Sequence, residues 1–374
     1  MEKLDKRPDH VFLALAGGLL LLGLVMLTSA SGPVAYQKFN DTYWYIRHQA
    51  LYGLLPGLAL MWLVSRVDYR HWRRYANGFF VFTLLLLLLV FVPGLSSDWS
   101  ASRSWIHIGG FSLQPSELVK LSLVMYLAAL FERRVGEGVG EAAAGLVPFL
   151  VSLGVVSVLI MLQPDLGSLT VIAAAAAVVY FAAGASWKHL GALVLGATGF
   201  FFVAAKTVPY RYARLTTFLH PELDPLGVGY HINQAFLTIG SGGWFGLGLG
   251  HSRQKYLYLP EVIGDSLFAV TAEELGFILT LAIVVLFGWF FWRGLDIARR
   301  APDDFGKLLA AGIVGWIFFQ TLFNVGSMIG LLPMTGLPLP FMSYGGTSLM
   351  VLLAAVGLLV SVSRQAAPRP AGRR

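Results

Sequence analysis

The chain contains no cysteine, which excludes disulfides, thiolate metal sites, iron–sulfur clusters and a cysteine nucleophile. Charge is scarce as well. Only 13% of the 374 residues are Asp, Glu, Lys or Arg, about half of the ~25% common in soluble domains. That scarcity excludes an ordinary soluble enzyme, a disordered chain and a nucleic-acid-binding module. What fills the sequence is apolar: 56% hydrophobic residues and a mean hydropathy of +0.69. The composition is that of an integral membrane protein.

A helix crossing hydrocarbon needs about 20 mostly apolar residues. Ten runs fit: 11–31, 48–65, 78–95, 117–131, 144–162, 166–185, 189–207, 266–292, 308–332 and 343–363. The fourth is short and contains Lys120. Gln163-Pro164-Asp165 separates the fifth from the sixth. Pro333, Pro338 and Pro340 punctuate the last connection, where missing N–H groups favour a re-entrant or extended crossing. The first run is too long, and too poorly followed by a small-residue cleavage site, for a removable signal peptide. The expected fold is an all-α polytopic membrane protein of ten transmembrane helices. It forms one membrane domain over 1–374, with short tails at 1–10 and 364–374.

Lysine and arginine set the orientation. Of the 27 basic residues, 18 fall in the tails and loops on the side of the termini, against 7 on the other side. Lys120 and Lys206 lie within spans. Ten acids share the terminal side, leaving it at +8 out of a net +7 for the whole chain. The basic excess is therefore membrane topology with both termini cytoplasmic, not a nucleic-acid footprint.

Residues 208–265, between the seventh and eighth runs, form an outer loop of 58 residues. Loops that long are functional or disordered, and its clustered Gly, aromatic, Arg and Asp residues favour function. Its cations Arg211, Arg214, Arg253 and Lys255 suit phosphate groups or lipid-headgroup anchoring. The glycines from Gly240 to Gly250 lack the spacing of a nucleotide loop and read as close backbone packing. His220, His231 and His251 lack metal-ligand spacing.

Ionisable residues inside spans are functional candidates by default. Glu117 and Lys120 lie three apart on one helix face, either as a structural ion pair or as a lysine poised for an anionic headgroup. Glu273 and Glu274 lie in the eighth run, and helix packing or a buried hydrogen bond accounts for at least one of them. Asp165 and Asp265 each stand at the start of a helix, where a carboxylate ordinarily caps.

Several ordered motifs then resemble one family. They are Arg103-Ser104-Trp105-Ile106, Gln114-Pro115-Ser116-Glu117-Leu118-Val119-Lys120, Gln163-Pro164-Asp165-Leu166-Gly167, and Pro209-Tyr210-Arg211 with Arg214. Further on come Gly229-Tyr230-His231, Gln234, Gly240-Ser241-Gly242-Gly243, Leu259-Pro260-Glu261, Asp265, and Glu273-Glu274-Leu275-Gly276. The series ends in Pro338-Leu339-Pro340-Phe341 and Ser343-Tyr344-Gly345-Gly346. Together they resemble the SEDS family (shape, elongation, division and sporulation) over nearly the whole chain. Tyr43 to Gln49 and Gly248 to Tyr256 look more like its division branch, FtsW, than its elongation branch, RodA. One segment departs from the family pattern, in which the aspartate follows His-Thr and precedes an aromatic. Here the order is Val262-Ile263-Gly264-Asp265-Ser266.

The resemblance implies an inverting peptidoglycan glycosyltransferase that polymerises lipid II outside the cytoplasmic membrane, in division or elongation. It implies a class B penicillin-binding protein as transpeptidase partner, with other divisome or elongasome membrane proteins. Asp265 would be the general base. Lys120, Arg211 and Arg214 would meet the diphosphate, and Glu117, Arg103, Gln234, Lys255, Glu261 and Ser343 would complete the substrate site. A divalent cation, magnesium or manganese, would suit the diphosphate, although no metal motif supports one. A lipid II flippase is the rival reading, since buried charges in a bundle also fit a transporter.

Overall fold

The computed structural model describes residues 7–94, 104–108, 111–135, 138–207, 217–220, 224–225, 227 and 229–367. It is a multi-pass helical bundle, and a helix lies on each of the ten apolar runs. The first helix is α1 (His10–Phe39). Next, α2 (Trp44–Gln49) continues through a π-helical turn at Ala50–Leu54 into α3 (Leu55–Arg66), followed by α4 (Tyr69–Arg73) and α5 (Ala76–Leu89). A short antiparallel hairpin, β1 (Ile106–Ile108) with β2 (Phe111–Leu113), precedes α6 (Pro115–Phe131). Then come α7 (Val147–Leu162), α8 (Leu166–Ala182), α9 (Trp187–Thr207), α10 (Tyr230–Ser241), α11 (Leu267–Arg299), α12 (Asp304–Met328) and α13 (Gly346–Gln365). Five of the helical segments are long and apolar enough to cross a membrane, and α5 and α8 are shorter apolar helices.

Burial sorts the helices into layers. Within their apolar windows α12 is 72% buried and α13 78%, whereas α11 is 33% buried. A helix that is apolar all round and buried belongs inside a bundle, so α12 and α13 are central and α11 faces lipid. Small residues let the central helices approach, as membrane packing requires. Gly312 of α12 sits against Val124 of α6 and Val179 of α8, and Gly315 against Val178. On the other side, Gly357 of α13 meets the backbone of Met61 in α3.

The termini meet at one end. Asp9 caps α1 through the Phe12 N–H and pairs with Arg293 of α11 at 2.8 Å. The Asp9 N–H donates to Ser363 Oγ, the Ala367 N–H donates to the Arg300 carbonyl, and the Arg300 guanidinium donates to the Ala367 carbonyl. Beside them Asp303 caps α12 through the Gly306 N–H and accepts from Arg70 and from the Tyr69 hydroxyl. Burial alone would raise the Asp303 carboxyl, but the bonds from Gly306, Arg70 and Tyr69 outweigh it and hold it below the ordinary carboxylate value. This is the end to which the charge count assigns both tails.

One feature of α11 was not visible in its hydropathy. The helix breaks at Gly276 (φ 75, ψ 178). The carbonyls of Glu273 and Glu274 accept from Leu247 and Gly248, and the N–H groups of Phe277 and Ile278 donate to Gly243 and Trp244. The 243–248 loop thus supplies the partners that the broken helix lacks, as irregular backbone at membrane depth demands. A Cβ on Gly276 would come within 2.2 Å of the Gly246 nitrogen, so both the left-handed φ and the close approach require glycine. The glycine run is close backbone packing, as its spacing suggests.

Candidate active site

Asp265 stands in a turn whose backbone is pinned from two directions. The Glu261 carbonyl accepts the N–H groups of Gly264 (2.9 Å) and Ser266 (3.2 Å), with Glu261 itself at φ 48. Three successive carbonyls are then held from elsewhere. Ile263 accepts the Tyr344 N–H at 2.8 Å, Gly264 the Ser343 hydroxyl at 2.5 Å, and Asp265 the Asn324 side-chain amide at 2.8 Å. The same Asn324 amide donates to the Leu337 carbonyl at 2.7 Å. About one turn away on α12, Gln320 donates to the Pro338 carbonyl at 2.9 Å. The proline-rich 337–343 segment and the aspartate turn are therefore one fixed unit.

The Asp265 side chain is 9% exposed. Its Oδ1 lies 3.4 Å from Ser266 Oγ and 3.9 Å from His231 Nε2, and His231 Nε2 lies 2.7 Å from Ser266 Oγ. The N-cap of α11 is Ser266, whose side chain makes no capping bond. Asp265 is one residue outside the cap. The capping expectation holds for Asp165, which accepts the Ser168 N–H at 3.0 Å.

Glu117 and Lys120 form a fully buried ion pair at 2.6 Å. Lys120 also donates to Gln320 Oε1 (2.9 Å), while Ser348 donates to Glu117 (3.0 Å). The Trp316 indole donates to the same Gln320 oxygen and its ring lies 5.8 Å from the ammonium. Of the two readings of this pair, these contacts favour the structural one. Lys255 is likewise buried: it pairs with Glu274 at 2.8 Å and donates to the Gly250 carbonyl. Ser29 donates to Glu274, and Glu273 accepts from Ser241, Ser252 and the Arg253 N–H. Both glutamates thus organise the outer loop against α11.

The remaining candidates divide. Ser343 is built into the aspartate turn, Glu261 is exposed at its edge, and Gln234 is half-buried one turn beyond His231 on α10. Arg103, Arg211 and Arg214 lie outside the described residues. Among the described residues no three His, Asp or Glu side chains come together as a metal-binding cluster. The sequence sets His231 aside as a metal ligand for want of ligand spacing and gives it no other role. It also passes over Ser266, Gln320 and Asn324, which carry no charge and acquire meaning only by convergence. An open groove of about 600 Å³ between α5 and α7 is lined wholly by apolar side chains, among them Leu84, Leu88, Val151 and Val155.

Comparison with known proteins gives the same answer throughout. Stage V sporulation protein E of Bacillus subtilis is 42% identical over 358 residues, covering 96% of this chain and 97% of that protein. A probable peptidoglycan glycosyltransferase FtsW of Geobacter metallireducens is 40% identical over 358 residues, covering 96% and 95%. Among solved structures, one chain of a peptidoglycan synthase complex described as coordinating polymerization and crosslinking superposes with a TM-score of 0.79. It is 30% identical, over 96% of this chain and 98% of that one. The rod shape determining protein RodA of Thermus thermophilus gives a TM-score of 0.70 at 29% identity, over 96% and 98%. The family model for FtsW, RodA and SpoVE, described as cell cycle protein, matches residues 9–367. The chain belongs to that family.

Proposed function

We propose that this protein is a peptidoglycan glycosyltransferase that polymerises lipid II on the outer face of the cytoplasmic membrane during cell division. The observation that carries the reading is the Asp265 carboxylate, poorly exposed, on a turn whose carbonyls are pinned by Tyr344, Ser343 and Asn324. The basic excess at the rim where the termini meet supports a cytoplasmic rim by the positive-inside rule, and with it an outer position for Asp265.

The chemistry needs little more. The 4-hydroxyl of the acceptor sugar attacks the anomeric carbon of the donor, the bond to the diphosphate breaks, and the centre inverts. Asp265 takes the hydroxyl proton as the new C–O bond forms, a contribution of about 10²–10⁴-fold for a positioned base. Arg211 and Arg214 of the outer loop are the proposed partners of the leaving diphosphate, whose developing charge is where stabilisation counts most. The apolar groove between α5 and α7 suits the polyprenyl chain. A class B penicillin-binding protein is the proposed transpeptidase partner, as the likeness to a chain of a synthase complex supports.

Flipping the same lipid would need polar groups available through the membrane depth. Glu117, Glu273 and Glu274 are instead engaged by Lys120, Lys255, Arg253 and serines. The test is polymerisation of lipid II by the purified protein, with and without its class B partner. Glycan strands are expected; transfer of lipid II between leaflets with no polymer would overturn the enzyme reading.

A further inference from the structure

The base mechanism leaves two groups beside Asp265 unused. His231 comes from α10, Ser266 is the N-cap residue of α11, and the two side chains meet at 2.7 Å. Ser266 Oγ is 3.4 Å from Asp265 Oδ1, long for a hydroxyl–carboxylate bond, as catalytic contacts often are before substrate tightens them. Ser266 is fully buried, while the His231 side chain is 23% exposed. The three groups therefore run from a buried carboxylate, through a buried hydroxyl, to an imidazole with an edge toward water.

We propose that His231, acting through the Ser266 hydroxyl, positions the Asp265 carboxylate and clears the proton from it between turnovers. The inference rests on the glycosyltransferase reading. Once the acceptor proton is on Asp265, the acid sits in a poorly hydrated pocket and must be reset. Asp265 O–H can donate to Ser266 Oγ while Ser266 O–H donates to an unprotonated His231 Nε2. A shift of both protons along this chain regenerates the carboxylate and leaves an imidazolium, which returns one proton to water and re-equilibrates through water to the tautomer with Nε2 free for the next turnover. No oxidant, metal or further reactant enters, and the net product is the proton released by glycosyl transfer. An imidazole is suited to this because its charge changes near neutral pH.

The other titratable groups on elements packed against α10 are few among the described residues. Glu261 lies exposed on the aspartate turn, and Tyr258 offers its carbonyl to the Tyr230 hydroxyl. Glu273 of α11 is taken up by Ser241, Ser252 and Arg253. The α12 side chains at the turn, Gln320 and Asn324, are uncharged.

The experiment measures kcat and KM for lipid II across pH with the full-length protein and its class B partner. The variants are His231→Gln, Ser266→Ala, Ser266→Thr and the His231→Gln/Ser266→Ala double. Gln can keep a hydrogen bond to Ser266 but cannot take up a proton. His231→Gln is expected to lower kcat about tenfold or more, part of the ~10²–10⁴-fold that a positioned base supplies, with KM within about twofold. The acid limb of its kcat profile should leave the imidazole range. Ser266→Ala should lose as much, Ser266→Thr should restore activity, and the double should lose no more than either single change, because both act on one path. His231→Gln with the parental kcat and pH profile, or additive losses in the double, would overturn the proposal. If those results came with an active parent and an inactive Asp265→Asn, only the relay would fall. An inactive parent would remove the glycosyltransferase reading itself.

Discussion

Gln320 and Asn324, one helical turn apart on α12, lead to two buried carboxylates that the protein treats in opposite ways. Through Gln320 the path reaches Glu117, met by the Lys120 ammonium at 2.6 Å and by Ser348. Through Asn324 it reaches Asp265, beside a hydroxyl and an imidazole. A carboxylate held by a buried ammonium at contact distance is one half of a structural pair. One set among groups that can themselves give and take protons can turn over. Both carboxylates are buried, so the contrast between them lies in the chemistry of their neighbours.

The largest effect on stability is expected at the ion pair. Lys120→Met strands the Glu117 charge in the bundle and should cost ~3–5 kcal/mol, whereas Glu117→Gln with Lys120→Met should recover most of that, since a pair can often be replaced without loss. Thermal unfolding of the detergent-solubilised variants reads both. Equal stability of the single and double variants would break the contrast.

A smaller loss is expected from Asn324→Leu, which leaves the Asp265 and Leu337 carbonyls without their donor. Each buried polar group left unsatisfied costs about 1–3 kcal/mol. Here stability and turnover should fall together, because the same amide seats the aspartate turn. Parental turnover in a destabilised Asn324→Leu protein would show that the seat is irrelevant to the chemistry.

The smallest change sharpens the comparison with a third carboxylate, at the rim. Asp303→Ala removes the cap of α12 and should cost about 1 kcal/mol with turnover unchanged. Because its carboxyl is held below the ordinary value, its contribution is present above the unfolded-state pKa near ~3.9 and is lost as pH falls through the lower folded value. The stability difference between parent and Asp303→Ala should therefore be constant at neutral pH and shrink below about pH 4. A difference independent of pH in that range would contradict the assigned bonds.

Much of this architecture was legible in the sequence because its signals are local. Apolar runs gave the helices, Lys and Arg counts placed the termini at one end, and the i,i+3 spacing paired Glu117 with Lys120. What was hidden depends on distant partners. The break in α11 leaves no trace in hydropathy, because Gly276 is tolerated in a long apolar run and its rescue comes from carbonyls and amides around Gly246. Lys255 reads as a free outer cation until Glu274 and Ser29 fold onto it. Ser266 and His231 lie 35 residues apart, and nothing in either segment announces that they meet. Asp265 itself was recognisable by family resemblance, while its position alone suggested a cap.

The central claim is that Asp265 acts as a base and not as a structural carboxylate. Asn keeps its size and caps a helix as well as Asp, but cannot accept the proton. The decisive measurement is lipid II polymerisation by purified Asp265→Asn with its partner, alongside thermal unfolding of the same preparation. Turnover should fall by about two orders of magnitude or more with the unfolding temperature unchanged. Polymerisation at the parental rate would remove Asp265 from the mechanism.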